Sequence, residues 1–359
     1  MKKLFPLLLA LALLLSGCGR REETPPDPVQ DPPAGTEEPS GVPSVTDESP
    51  LELDILRIEI CRSGLGSDRL MEAVRTLPEL LRSALADQNI ITNAVQVTIG
   101  SSPAATVQAL NEGTVDIAIL PAGGFAGQET EAAVLLASGP QSENDHIWRE
   151  GYGAFRGALY ASAASAGGLL DKEGALPAWE ELDHLRWGLL GQDSIPGRRA
   201  VDLWLADHYG GRTTAELSHA AVYETFDQLL QAAEAGEIDL FPLDDITSGD
   251  WQGASRFYFL GELETFYDTV AVVSPRREDL SDPERNLRDP LMFTLTRLCF
   301  YDGTQTDPGG LPAYPGEGYD RETRELCQDV FGPYRYGWAR DEDLDATRRL
   351  MALEGHTAD

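Results

Sequence analysis

The sequence predicts a two-lobed α/β protein, and three features of its pattern support that fold class. Strand-like apolar runs alternate with amphipathic helical stretches from Leu56 to Gly113. The same order recurs over a similar length from Leu185 to Gly236. Both stretches close on a Gly-x-(Val/Ile)-Asp step, at Gly113–Asp116 and Gly236–Asp239. Any α/β chain repeats strands and helices, but the shared step favours two lobes of like design, each a mostly parallel sheet flanked by helices.

The first lobe opens on an isoleucine-rich strand, Ile55–Cys61. We expect Ser67 to cap a helix whose apolar stripe runs from Leu70 to Leu81. Pro78 interrupts this stripe and predicts a kink or two short helices. The pattern then predicts a strand, a helix with a C-terminal glycine and a buried strand, at Val95–Ile99, Thr106–Glu112 and Val115–Leu120.

The second lobe repeats this order. Its strands are predicted at Leu185–Leu190, Ala220–Tyr223 and Ile238–Leu243, and its helices at Arg198–Tyr209 and Thr225–Ala235. We expect the chain to cross between lobes at the strands Gly157–Ala163 and Thr269–Val273, and helices around Leu291–Cys299 to return to the first lobe. The expected boundaries are 51–155 for the first part of lobe 1, 156–255 for lobe 2, and 256–359 for the return strand and the helices that complete lobe 1.

The amino-terminal residues predict export. Two lysines precede an apolar run, Leu4–Leu15, that is too short for a permanent membrane helix. The ending Leu15–Cys18 resembles the lipobox of bacterial lipoproteins, in which the cysteine is acylated, for example with palmitate. Residues 1–17 then form a signal peptide, and Cys18 anchors the chain outside the cytoplasmic membrane. The alternative is an ordinary signal cleaved near an incidental cysteine. Residues 18–50 contain eight prolines and eight acidic residues, which predicts a disordered tether.

Composition narrows the possible partners. The formal net charge of −32 over 359 residues disfavours nucleic acid and anionic lipid surfaces. After the first 15 residues, no apolar run is long enough for a second membrane span. Beyond Cys18 there are three cysteines, so not all can pair within the chain. Cys299 and Cys327 could form a disulfide, since export permits one, whereas Cys61 is expected to be a buried thiol.

Several segments resemble the phosphate/phosphonate-type (PhnD-like) ABC transporter binding proteins. Ala109–Ala118 resembles their A-L-x-x-G-x-x-D-I-A segment, and Leu185–Gly197 is similar to their second-lobe strand and turn. Between these, Gly157–Ala163 and Leu176–Leu182 match a strand followed by an S-L-A-D-L-like step. The resemblance covers most of residues 51–300. It implies a type II periplasmic-binding-protein-like fold, a ligand held between the lobes, and delivery to an ABC permease by a monomeric binding protein.

The chain departs from that family at positions that bind phosphonate. Tyrosines of the family fall on Pro103 and Phe125, and in its serine- and threonine-rich turn only Ser194 keeps a hydroxyl. Together with the negative charge, these losses favour a zwitterionic, cationic or polar organic ligand over free phosphate.

Four turns that follow predicted strands are candidate ligand sites, because ligands bind at the carboxyl ends of parallel strands. In the first lobe these turns contribute Ser63, Gly64, Gly123 and Phe125. A plain glycine turn and core packing of the phenylalanine are the alternatives. In the second lobe they contribute Ser194, Gly197, Arg198, Tyr223 and Asp244. Arg198 and the N–H groups of its turn suit a carboxylate or phosphate group, and Asp244 suits an amine or guanidinium.

These features predict a lipid-anchored solute-binding protein that delivers a small polar organic or phosphonate-like ligand to an ABC importer. The alternative is a ligand-sensing lipoprotein that serves a membrane receptor or sensor kinase. We do not expect an enzyme, a metal or a cofactor, because no Walker or GxGxxG motif is present and no histidine has metal-ligand spacing with another. The five histidines are His146, His184, His208, His219 and His356.

Overall fold

The structure is a computed structural model. It describes residues 50–62, 64–139, 154–162, 165, 176–244, 257–281, 287–301, 303 and 318–357. The expected signal peptide at 1–17, Cys18, the tether up to residue 49 and Ser63 lie outside these residues. Within the described part, no helix combines the length and the apolar character that crossing a bilayer requires.

Eleven strands of the described residues form two sheets. They are β1 Leu51–Ile60, β2 Ile90–Ile99, β3 Ile117–Pro121, β4 Ala133–Ser138, β5 Gly157–Ser162, β6 Trp187–Leu190, β7 Ala220–Tyr223, β8 Leu240–Asp244, β9 Phe257–Glu262, β10 Thr269–Val273 and β11 Tyr336–Trp338. The first sheet has the order β11-β4-β10-β3-β1-β2, and the second has the order β7-β6-β8-β5-β9. The two-lobed α/β prediction is thereby confirmed. β9 lies in the second sheet although it follows the boundary expected at residue 255.

Helices cover both faces of each sheet. They are α1 Ser67–Ala86, α2 Pro103–Glu112, α3 Ala122–Ala126, α4 Trp179–Asp183, α5 Ala200–His208, α6 Phe226–Glu234, α7 Glu278–Ser281, α8 Arg288–Phe300, α9 Arg321–Phe331 and α10 Asp345–Thr357. A π-helical turn, Ile195–Arg199, precedes α5. In the first sheet, Ile117 and Ile119 face the core under α1, α8 and α9, while Ala118 and Leu120 face the core under α2 and α3. Helix α8, which includes residues 291–299, thus packs in the core of the first lobe.

Each sheet contains antiparallel strand pairs beside its parallel ones. β1 pairs in parallel with β2 and β3, and β6 pairs in parallel with β7 and β8, as the β-α-β order predicts. β10 and β5 instead run antiparallel to both of their neighbours. These two strands enter after the chain has crossed from the other lobe, so they have no helical crossover to set a parallel direction.

The first helix differs from its prediction in two ways. It runs unbroken through Pro78, and Gly66 rather than Ser67 is its N-cap residue. Leu77 and Leu81, on either side of the proline, are both fully buried against the first sheet. This burial stabilises the helix enough to offset the backbone hydrogen bond that Pro78 cannot donate.

The repeated Gly-x-(Val/Ile)-Asp step has the same structural role in both lobes. Gly113 and Gly236 have φ angles of 75° and 72°, in the left-handed region that favours glycine. The Asp116 carboxylate accepts from the backbone N–H of Arg57 at 2.8 Å, and Asp239 accepts from that of Arg186 at 3.0 Å. Asp116 therefore links the start of β3 to its sheet neighbour β1, and Asp239 links the start of β8 to the start of β6. This shared contact supports two lobes of like design.

The lobes are joined where Phe155 and Phe266 exchange backbone hydrogen bonds of 2.6 and 2.9 Å. The strands expected to cross, β5 and β10, instead lie one in each sheet. Helix α10 lies in the segment whose helices were expected to complete lobe 1, and it contacts both lobes. Its Ala346 and Leu350 lie in the second-lobe core, and it also packs against α3.

Cys61, Cys299 and Cys327 are free, buried thiols, so the disulfide that could join the last two is not formed. Burial raises the pKa of the Cys327 thiol to about 12 and raises that of Cys299 well above its usual value. Both thiols pack in the apolar core of the first lobe, where they act as small hydrophobic side chains.

Candidate ligand-binding site

Polar side chains converge at the end of the first sheet where β1 finishes and the antiparallel β10 begins, here called the edge of the sheet. This edge faces the junction between the lobes. Arg62 follows the carboxyl end of β1, and Asp268 precedes the amino end of the antiparallel strand β10. Both positions therefore fall at the same edge. The backbone fixes Asp268 there, because its N–H donates to Ser138 at 2.7 Å and its carbonyl accepts from Ala122 at 2.9 Å.

Arg62, Asp268 and Thr269 form a connected polar group. The Arg62 guanidinium lies 3.6 Å from the Asp268 carboxylate and donates to the Thr269 hydroxyl at 3.3 Å. That hydroxyl in turn donates to Asp268 at 2.8 Å. The side chains of Arg62 and Asp268 are 24% and 35% exposed, so both ions remain accessible. An N···O separation of 3.6 Å is too long for a hydrogen bond, which leaves donors of the guanidinium available to a solute.

Gly332, which ends helix α9, lies against this group. Its φ of 108° is in the range that favours glycine, and a Cβ atom there would stand 3.3 Å from Nη1 of Arg62. The glycine therefore lets the backbone approach the guanidinium closely.

Tyr334 follows and brings an aromatic ring to the same edge. Its ring meets that of Phe155 edge to face, with centroids 5.9 Å apart. Burial and the carboxylates of Asp268 and Asp244 raise the pKa of Tyr334, while Arg62 lowers it. Since Asp244 ends strand β8, this tyrosine lies within electrostatic range of charged groups from both lobes.

The predicted first-lobe residues are placed differently from expectation. Phe125 is 1% exposed and packs in the core under α2 and α3, so its expected place in the cleft was wrong. Gly123 faces Met351 of α10, whose Sδ atom lies 3.9 Å from a Cβ built there. Gly64 is exposed, with a φ of 87°, in the turn that carries Arg62. Ser63 lies outside the described residues.

In the second-lobe turn that carries Ser194, Gly197 and Arg198, most groups already contact other residues of the protein. The Ser194 hydroxyl accepts from the N–H of Gly197 at 3.2 Å, and a Cβ on Gly197 would collide with Leu190. Arg199, the neighbour of the predicted Arg198, forms a two-pronged ion pair with Glu354 of α10, at 2.6 and 2.8 Å. The Arg198 backbone N–H donates to the Ser194 carbonyl at 3.1 Å, and its half-buried side chain has no hydrogen-bond or ion-pair partner among the residues that the structure describes. One cation of the predicted anion site thus remains open to a solute.

The predicted site residues Tyr223 and Asp244 lie in different places relative to the cleft. The Tyr223 ring lies over Gly188, and burial together with Glu237 raises its pKa. Gly188 and Glu237 both lie away from the carboxyl end of β6, so the Tyr223 ring points away from the cleft. Asp244 ends β8 opposite Gly157 and lies close enough to Tyr334 to affect its pKa.

Sequence reasoning missed Asp268, Tyr334 and Phe155 as site residues. Asp268 could have been identified from the sequence, because it directly precedes Thr269–Val273, a strand predicted to cross between the lobes. Tyr334 carries no such signal, since its position depends on how the carboxyl-terminal segment folds back onto the first sheet.

Neither of two prominent pockets of the described residues is lined by Arg62, Asp268 or Tyr334. One, of about 440 Å³, lies between Asn111, Glu131 and Arg276. The other, of about 500 Å³, lies beside the lobe junction and is lined by Arg156, Tyr267 and Arg349 among others. In the described part of the chain, no group of three or more acidic, histidine or cysteine side chains is arranged to hold a metal ion.

No family model and no curated protein sequence matches this chain. Among solved structures, it resembles the Xanthomonas citri protein XAC2383 bound to ATP, at 12% identity and a TM-score of 0.38, over 85% of this chain and 99% of that one. It also resembles PhnD1 from Prochlorococcus marinus in complex with methylphosphonate, at 13% identity and a TM-score of 0.35, over 84% and 98%. Transferrin 1 from Manduca sexta is similar at 9% identity and a TM-score of 0.50, over 84% of this chain and 47% of the transferrin. At 9% identity the likeness to the transferrin is one of fold, and the described residues of this chain form two α/β lobes.

Proposed function

We propose that this chain is an extracytoplasmic solute-binding protein, anchored by lipid at Cys18, that delivers a small polar solute to an ABC importer. The observation that carries the proposal is the polar group of Arg62, Asp268, Thr269 and Tyr334 at the edge between the two lobes. It supplies a cation, a carboxylate, hydroxyls and a ring. Such a convergence suits recognition of a polar small molecule.

The connection between the lobes supports closure on a solute. The lobes are joined by two extended segments at Phe155 and Phe266 and by helix α10, and the bulk of each lobe packs around its own sheet. Extended segments of this kind can absorb a change of backbone angles while both sheets stay rigid. Closure would shield the polar group from water and strengthen its electrostatic contacts with the solute.

A thermal-shift screen followed by small-angle X-ray scattering tests this proposal. A solute present at 100 times its Kd stabilises the folded chain by about 2.7 kcal/mol. We expect at least one polar solute to raise Tm and reduce the radius of gyration, and Arg62→Ala to weaken its binding. Arg82→Ala is the matched control, because Arg82 lies on the exposed face of α1 and pairs with Glu79 on the same helix. A solute that binds without compaction, or binds equally to Arg62→Ala, would count against a site between the lobes.

A further inference from the structure

Helix α10 carries the chain between the lobes a third time. Leu344, just before the helix, lies in the first-lobe core with α2 and α3, whereas Ala346 lies in the second-lobe core. The chain therefore passes from one core to the other within two residues. The other two crossings lie close by, because Arg156 and Thr265, which belong to them, line the same pocket as Ala346. A rotation of one lobe against the other thus also has to bend the chain at the start of α10.

The second lobe holds α10 at two points and along one side. Arg349 pairs with Asp207, near the carboxyl end of α5, at 2.7 Å. Further along α10, Glu354 pairs with Arg199, just before α5, at 2.6 and 2.8 Å. The two helices therefore run antiparallel. Between these ion pairs, Leu350 is 3% exposed and lies in the second-lobe core.

Burial rather than charge carries most of this attachment. The four side chains of the two ion pairs are between 29% and 46% exposed, so solvent weakens their attraction. Arg349 also pairs with Glu264 of the second crossing, and both of these side chains are 44% exposed. Leu350, in contrast, is almost completely removed from water, which favours its place in the second-lobe core.

The contact of α10 with the first lobe is of a different kind. Met351 follows Leu350 and lies against α3, where Cβ atoms built on Gly123 and Gly127 would stand 3.9 Å from its Sδ and 3.1 Å from its Cε. Helix α3 has no polar side chain that could pair with α10. A surface of glycines therefore meets a flexible thioether side chain. A shift of one helix along the other breaks no ion pair or side-chain hydrogen bond at this contact.

We propose that α10 is fixed to the second lobe and slides over the glycine surface of α3 when the lobes rotate. The helix then moves with α5 as one body, and the chain bends between Leu344 and Ala346. Met351 can follow the glycine surface, because its unbranched side chain has three rotatable bonds. The rotation itself belongs to the proposed solute-binding function, on which this assignment rests.

Native-state hydrogen exchange of the purified chain, followed by mass spectrometry, tests where α10 is held. Leu350→Ala should speed exchange of the α10 amides at least about tenfold, because it removes a buried side chain from the second-lobe core. Met351→Ala is the matched variant, since it shortens the next residue of the same helix to the same alanine. It should speed exchange by less than about twofold, because a sliding contact contributes little to the stability of the helix.

A surface variant keeps the test valid if Leu350→Ala fails to fold. Arg349→Gln removes only partly exposed ion pairs, and it should speed exchange of the α10 amides about two- to fivefold. The assignment is overturned if Met351→Ala speeds exchange as much as the second-lobe variant that folds. It is also overturned if neither Leu350→Ala nor Arg349→Gln speeds exchange in α10.

Failure of this assignment and failure of the proposed function are distinguishable, because the exchange measurement needs no solute. If α10 is held by α3 instead, the assignment fails and solute binding at Arg62 is unaffected. If the thermal-shift screen finds no solute, solute binding fails, while the exchange data still decide which lobe holds α10.

Discussion

The Arg186–Asp239 pair of the second lobe offers the sharpest test of how the repeated step stabilises the fold. Asp239 accepts from Nε and Nη2 of Arg186 at 2.9 and 2.8 Å, from the Arg186 backbone N–H, and from the Ser165 hydroxyl at 2.7 Å. These bonds, led by those from the Arg186 side chain, lower the pKa of the carboxyl from 3.8 to about 2. We therefore expect Asp239→Asn to destabilise the chain, because an amide cannot replace the charge.

The magnitude follows from linkage between protonation and folding. A pKa of about 2 in the folded chain against 3.8 in the unfolded chain corresponds to about 2 kcal/mol at neutral pH. The Arg186 side chain is 52% exposed, so solvent screening reduces this to about 1–2 kcal/mol. Because folding lowers this pKa, the stabilisation is complete above pH 4 and is lost as pH falls towards 2. About half of it remains at pH 3.

Urea denaturation at pH 7 and pH 3 measures both quantities. Asp239→Asn should lower the free energy of unfolding by about 1–2 kcal/mol at pH 7 and by about half as much at pH 3. Asp193→Asn is the matched control, since Asp193 is exposed in the same lobe, and it should leave both values within about 0.5 kcal/mol. A loss below that limit for Asp239→Asn, or an equal loss at both pH values, would refute the reasoning.

Three further predictions follow from contacts elsewhere. Gly332→Ala should cost at least about 1 kcal/mol in thermal unfolding, because its φ of 108° strains any other residue; an unchanged Tm would contradict this. Glu354→Gln should speed amide hydrogen exchange in the last turns of α10, since its pair with Arg199 is lost, while the free energy of unfolding falls by less than about 1 kcal/mol. Cys299 and Cys327 should resist a thiol reagent at pH 8 until denaturant is added, and rapid labelling of the native chain would show that burial does not protect them.

Local patterns predicted the scaffold well. The left-handed glycines Gly113 and Gly236 and the aspartates that follow them mark the same turn in both lobes, because each signal lies within four residues of chain. The antiparallel direction of β10 and the unbroken course of α1 through Pro78 were not predictable in this way. Both depend on packing between distant segments.

The site was predicted less well for the same reason. Strand ends were chosen as the place to look, and Asp244 and the turn that carries Arg62 lie at such ends. A side chain at a strand end can nevertheless turn into the core, as Phe125 does, or be covered by a distant helix, as Gly123 is. Tyr334 comes from the far end of the chain, and only the folded structure brings it to Arg62.

The most direct test of the central claim is a crystal structure of the chain with the solute that the thermal-shift screen identifies. Solute density should lie between the lobes, in contact with Arg62, Asp268 and Tyr334, and with Asp244 closing on it from the second lobe. Density in the pocket between Asn111 and Arg276, or on the outer surface of either lobe, would contradict the proposed solute site.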